Sequence, residues 1–375
     1  VNQFDAASLE RAVRSAEETA RFAPEDPEHM PLLGRQQYLE VKSWDERAAT
    51  VEPSFRADVA KRAIGLAKSR NTIIAGFLTN AARIRAIGNS NGLFGHHSRT
   101  TLTYSNTSRT PDGTGSGWAG NNAEWLEKFD PVSLARVAVE KSVKSVKPRE
   151  LAPGTYTVIL EPAAVADLLL NLRFRFDARS ADEGRSFFSA KGGGNKIGQK
   201  VLGERVSIHT DPADPRAPGF PFASGGMPTR KTPWVEQGVV KRLDYSRFWA
   251  QKQGKEPTAT PVNLIMEGGS GTLEDLIKNT KRGVLVTRFW YIRSLDPQTI
   301  LLTGLTRDGT FLIENGRITA PVKNFRWNDS PISAFSKIEA MSRSARARGS
   351  EAGDFPIVCP AIRTQFHFSS LSEAV

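Results

Sequence analysis

Residues 306 to 327, TRDGTFLIENGRITAPVKNFRW, restrict the fold more than any other stretch of this chain. Asn315-Gly316 separates two alternating runs of β-formers, TFLIE and RITAPV. Both residues of that dipeptide tolerate positive φ, which a two-residue type I′ connection requires, so a tight antiparallel hairpin is expected here. A second turn is expected at Arg307-Asp308, just ahead of it.

The hairpin sits in a strand-rich second half. The runs TYTVILEP, ERVSIHTD, TPVNLIMEGG, GVLVTRFWYIRSL and TILLTGLTR read as strands, interrupted by helices over 163–174 and 272–280. The first half reads differently. Leu9, Val13, Ala16 and Ala20 recur at helical spacing before Pro24, Pro27 and Pro31. A second helix is expected from a cap at Asp58, and a third over 130–146 with Pro131 in its first turn. Short strands TIIAGFLTN, ARIRAIGNS and TTLTYSNTSRT lie between them. The Pro-containing stretch KPRELAPG marks the change of periodicity. The expected architecture is α+β, with a smaller N-terminal α/β domain over 1–150 and a strand-rich, mostly antiparallel domain over 151–375.

Lys and Arg outnumber Asp and Glu by 51 to 40, a formal charge of +11 that admits an anionic partner. The excess is spread along the chain, and its short clusters (141–149, 342–350) lack interleaved aromatics, so nucleic-acid binding is not expected. Cys359 is the single cysteine, which excludes an internal disulfide and fits a reducing, cytoplasmic setting. No apolar run reaches the ~20 residues of a membrane helix. The first residue is Val1 rather than Met, so a start or a targeting segment ahead of it is left open.

Several motifs fail on inspection. GGGNKIGQK (192–200) has glycines at phosphate-loop spacing, but Gln199 stands where the phosphate-binding Lys belongs, leaving a mobile loop as the expectation. No G-x-S-x-G occurs; GGSGT from Gly268 ends in Thr272. His96-His97 are adjacent, point to opposite sides of an extended segment, and read as an exposed loop. The densest polar cluster is Asp182, Glu183, Arg185 and Ser186, which either organises a loop or binds a peptide terminus.

Five ordered landmarks, AIGNSNGLFG (86–95), LAPGTYTVILEPAAVADLL (151–169), DEGRSFFSAKGGG (182–194), GVLVTRFWYIRSLDPQT (283–299) and TGLTRDGTFLIENGRITAPVKN (303–324), resemble the TldD/PmbA family. That family's members are known as modulators of gyrase and as metalloprotease subunits. In its catalytic branch the resemblance implies H-E-x-x-x-H on the helix after the TVILEP strand, with a distal Cys completing a zinc site. Two imidazoles and a thiolate would leave one open position for an acidified water, with Glu as base. Here the helix reads VADLLLNLRFRF, with Leu169 or Leu170 at the first His position, Phe174 or Arg175 at the second, and Cys359 near the distal Cys. The resemblance thus points to the TldE/PmbA branch: a subunit without catalytic or metal-ligating residues, with zinc only in a TldD-like partner. It implies pairing with that partner, or with a second copy, to enclose a chamber for small or unfolded peptides. The alternatives are a hydrolase using Cys359 with His367 or His209, Pro360 supplying a bend, and a basic nucleic-acid- or gyrase-associated binding protein.

Overall fold

The computed structural model describes residues 1–372. Helix α1 (Ala6–Phe22) leads through an extended segment to α2 (Glu46–Ala49) and α3 (Pro53–Ser69). Three strands follow, β1 (Ile73–Gly88), β2 (Phe94–Arg109) and β3 (Ser116–Ala123), and then α4 (Pro131–Lys144). The second half opens with β4 (Gly154–Leu160), α5 (Pro162–Arg173) and α6 (Ala178–Asp182). Short strands β5 (Ile208–Thr210), β6 (Thr232–Glu236) and β7 (Val239–Val240) precede α7 (Arg247–Gln253), β8 (Leu264–Met266) and α8 (Leu273–Lys278). The chain finishes with β9 (Arg282–Asp296), β10 (Leu301–Glu314), β11 (Arg317–Pro321), β12 (Phe325–Asp329), α9 (Pro331–Ser336), β13 (Ala340–Met341), β14 (Ala345–Ala347), β15 (Ile357–Cys359) and β16 (Ile362–Leu371). No helix among the described residues is long and apolar enough to cross a membrane.

The expected α+β architecture is what forms. In the first half β1, β2 and β3 pair antiparallel, with α3 and α4 packed on them around Val59, Ala63, Leu102, Tyr104 and Ala135. Helix α4 starts where Asp130 accepts from the Ser133 amide and Pro131 fills the first turn, and it ends with Lys141 and Lys144 in its last turn, where positive charge suits the helix dipole. Two local expectations change. Helix α3 begins at Pro53, one turn and more before Asp58, because Pro at the first turn needs no amide donor. The two short runs 72–80 and 82–90 form the single strand β1, whose register with β2 is unbroken from Ile73 to Gly88.

In the second half β9, β10, β12, β16 and β4 pair in a ring, since β9 bonds to both β10 and β4. Closure removes the sheet edges these strands would otherwise expose. A six-stranded sheet, β14-β15-β8-β5-β6-β7, lies opposite. Apart from Asp167, Asn171 and Arg173, helix α5 is apolar, and it touches β4 and β9 of the ring as well as β14 and β15 of the second sheet. A helix of that composition is stable only inside, and α5 is the middle of the larger core.

Asn315 (φ 50°) and Gly316 (φ 77°) form the expected two-residue turn, with Glu314 opposite Arg317. Arg307-Asp308 is not a turn. It is a bulge inside the continuous strand β10, where register with β9 shifts between Arg307 and Thr310 while Asp308 and Gly309 take φ of 55° and 125°. On either side of the bulge, the same edge of β10 pairs first with β12 and then with β11.

Candidate functional site

Helix α5 is where the resemblance places a zinc site. Leu169 is fully buried in the core and Leu170 half-buried. Phe174 lies 62% exposed, with the Arg173 guanidinium 5.3 Å from its ring, and Arg175 donates to Ser294 Oγ at 2.7 Å. Hydrocarbon, aromatic and guanidinium groups give no lone pair to zinc. Among the described residues no three His, Cys, Asp or Glu side chains lie close enough together to hold a metal ion, so the residues present do not fit one.

The one acid on α5, Asp167, is fully buried. Its carboxyl accepts from the Ser350 amide (3.1 Å), Ser350 Oγ (3.2 Å) and the Glu351 amide (3.1 Å), tying the segment after β14 to the helix. Burial pushes its pKa up to about 7, against the pull of those donors. Close approach depends on Gly349, where a Cβ would stand 2.2 Å from Asp167 Oδ1.

The Cys-His alternative is corrected by burial. The chain does break at Pro360, between β15 and β16, but Cys359 Sγ is buried and donates to the Pro162 carbonyl at 3.3 Å. Burial pushes its pKa up, away from the thiolate a nucleophile needs. His367 faces outward with Nδ1 3.1 Å from Thr155 Oγ1, and His209 is engaged with Glu267 at 3.6 Å. His96-His97 is no loop: both lie in β2, His96 exposed and His97 buried with Nε2 2.9 Å from Ser43 Oγ. Burial takes the His97 pKa down to about 4, so the ring is neutral.

The polar cluster at the end of α6 forms a corner. Asp182 accepts from Asn195 Nδ2 (2.6 Å) and Trp249 Nε1 (2.8 Å). Glu183 takes Arg185 Nε and Arg179 Nε, each at 3.0 Å, and these bonds hold its pKa below the usual range. Ser186 is buried, its Oγ accepting from the Phe188 amide at 3.2 Å. All five bonds run within the corner, so any peptide contact rests on Arg185, whose side chain is 59% exposed. GGGNKIGQK is a run of tight turns with positive φ at Gly192, Gly193, Gly194 and Gly198.

A cleft of about 610 Å³ opens where the two halves meet. Ser116 and Ser145 line it from the first half, Asp308, Gly309, Lys323 and Asn324 from the second. Asp308, turned inward by the β10 bulge, is buried between Ser116 Oγ, which donates to it, and the Arg288 guanidinium, which binds it through Nε (2.8 Å) and Nη2. The Trp118 and Trp290 rings lie 5.1 Å from that guanidinium. Nearby, Arg346 reaches across to Glu124 (3.0 Å) and Asn122 (2.7 Å), and Glu124 also binds Arg99 at 2.6 Å. Sequence reading passed over these groups because each partner is distant in the chain; the one local signal was Asp-Gly inside a strand of β-formers.

Two family models match the chain: the PmbA/TldA metallopeptidase central domain over residues 46–146 and the C-terminal domain over 153–369. A metalloprotease of Methanothermobacter thermautotrophicus is 25% identical over 252 residues, 60% of this chain and 50% of that protein. A metalloprotease TldD homolog of Buchnera aphidicola is 23% identical over 222 residues, 54% of this chain and 44% of its own. The chain thus spans about half the length of the curated relatives it matches. Among solved structures, TldE from Thermococcus kodakarensis shares the fold with a TM-score of 0.85 at 19% identity, covering 99% of this chain and 86% of that one. A candidate modulator of DNA gyrase from Thermotoga maritima does so with a TM-score of 0.83 at 20% identity, covering 96% and 83%.

Proposed function

The chain belongs to the PmbA/TldD metallopeptidase family, and from that membership we propose that it is a TldE-like, non-catalytic subunit. It pairs with a TldD-like zinc peptidase, or with a second copy of itself, and contributes wall and substrate selection to a chamber that admits small or unfolded peptides. One observation carries this reading: the helix on which catalytic relatives would hold zinc presents Leu169 to the core and Phe174 to the surface. The helix has been built into the core as packing, with its one carboxyl spent on backbone amides.

Zinc content tests the proposal. A site of two imidazoles and a thiolate binds metal tightly enough to survive purification, whereas a lone buried thiol does not. The purified chain is expected to carry far less than one zinc per chain, and a complex with a TldD-like protein to carry only that partner's zinc. Stoichiometric zinc bound by this chain alone would overturn the reading. Arg185→Glu in the mixed complex is expected to slow peptide processing without dissolving the complex; unchanged processing would remove the corner from the substrate path.

A further inference from the structure

We propose that a second pocket at the seam between the halves, about 160 Å³ in volume, binds a carboxylate through Arg348, and that the C-terminus of a bound peptide supplies it. Trp118, Asn121 and Lys141 wall it on one side, Glu161, Thr287 and Arg348 on the other. The volume is well above the ~10–15 Å³ that admits one water.

Every other charge around this pocket has a partner. Lys141 Nζ is 2.6 Å from Glu161, which also receives Thr287 Oγ1 at 3.4 Å. Arg346 and Arg99 both draw on the single carboxylate of Glu124. Arg348 is different: its Nε is buried without a hydrogen-bond partner, and no hydrogen bond or ion pair joins its guanidinium to any described residue. Asp354 and Asp167 attract it from beyond ion-pair distance. Asp354 is engaged by Arg83 (3.3 Å) and Thr103 (3.0 Å), and Asp167 by Ser350 and Glu351. Burial pushes the Arg348 pKa down, yet a guanidinium stays charged under all ordinary conditions.

Arg348 is half-buried with its Nε out of water and unpartnered, and an anion seated in the pocket would complete it. The guanidinium offers a planar fork that a carboxylate meets with two parallel bonds. Glu161 and Asp167 close by disfavour a doubly charged anion such as phosphate, so a monoanion fits better. The peptide source of that monoanion rests on the function proposed above; the carboxylate site does not.

Fluorescence anisotropy of the full chain with three dansyl peptides tests this: Ala-Ala-Ala acid, Ala-Ala-Ala amide and Ala-Asp-Ala amide. The acid is expected to bind at least about tenfold more tightly than its amide, and Arg348→Met to erase that difference while Arg348→Lys erases part of it. Because the acid and amide are compared on the unaltered chain, the result does not depend on any variant folding. Equal binding of acid and amide, or binding of neither, would overturn the site. If the Asp-containing amide matches the acid, the carboxylate site stands and its C-terminal source falls. Amidated peptides cleaved as fast as acids by the mixed complex would leave the proposed function intact while removing this site.

Discussion

At the scale of single residues, two buried carboxyls do opposite things. Asp308 is paired with Arg288, and both side chains are almost wholly out of water. Removing one member of such a pair leaves the other charged and unpaired, at a cost of about 3–5 kcal/mol. Asp308→Ala should therefore lower the urea midpoint sharply, and a shift no larger than that of a surface substitution would show the pair to be dispensable. Asp167 has no cation in contact, and its folded pKa is raised from 3.8 to about 7. The folded state then binds a proton that the unfolded state releases between about pH 4 and 7, so this group's contribution is fully present below pH 4 and is lost as pH rises through 7. Glu351 strengthens the trend by repulsion, while Arg348 opposes it. Asp167→Asn keeps an acceptor for the Ser350 and Glu351 amides and should flatten the fall in stability over that window, measured as urea midpoints at a series of pH values. An unchanged slope would mean that Asp167 is ionised throughout.

At the scale of elements, the hairpin of β10 and β11 is explained by what its tip touches. The Asn315 and Gly316 amides donate to the carbonyls of Lys281 (2.7 Å) and Thr280 (2.9 Å), so the turn caps the connection between α8 and β9. A Cβ at Gly316 would stand 2.5 Å from the Lys278 carbonyl oxygen, in addition to the ~1–2 kcal/mol that positive φ costs other residues. Gly316→Ala should speed hydrogen exchange at both tip amides and at the start of β9, whereas Asn315→Gly should leave them protected. Equal protection in both variants would show the turn to be decoupled from α8. Helix α5 illustrates the same rule from the inside. Its run of Leu and Ala was legible as a helix, but only the two sheets packed against it explain why nearly all its faces are apolar.

At the scale of the whole molecule, the halves have separate apolar clusters and meet through buried polar groups, among them Ser116 with Asp308 and Glu124 with Arg346. Buried ion pairs are weakly screened, so raising salt from 0.1 to 1 M should barely shift the melting temperature, while Glu124→Gln, which leaves Arg99 and Arg346 facing each other, should lower it by several degrees. A strong salt dependence in the unaltered chain would place the joining energy on the surface pairs instead. The sequence by itself determined what depends on near neighbours: the strand and helix periods, the Asn-Gly turn, Pro131 in the first turn of α4, and the lack of imidazoles on α5, since those follow from backbone preferences and side-chain chemistry at fixed spacing. Tertiary structure alone decided that Arg307-Asp308 bulges within a strand, that β9 closes the ring onto β4, that the Cys359 thiol meets the Pro162 carbonyl, and that Arg348 lacks a partner among the described residues where the halves meet. Each of these depends on which distant segments share a low-dielectric interior, and contacts between residues a hundred or more positions apart leave no period or spacing in the chain.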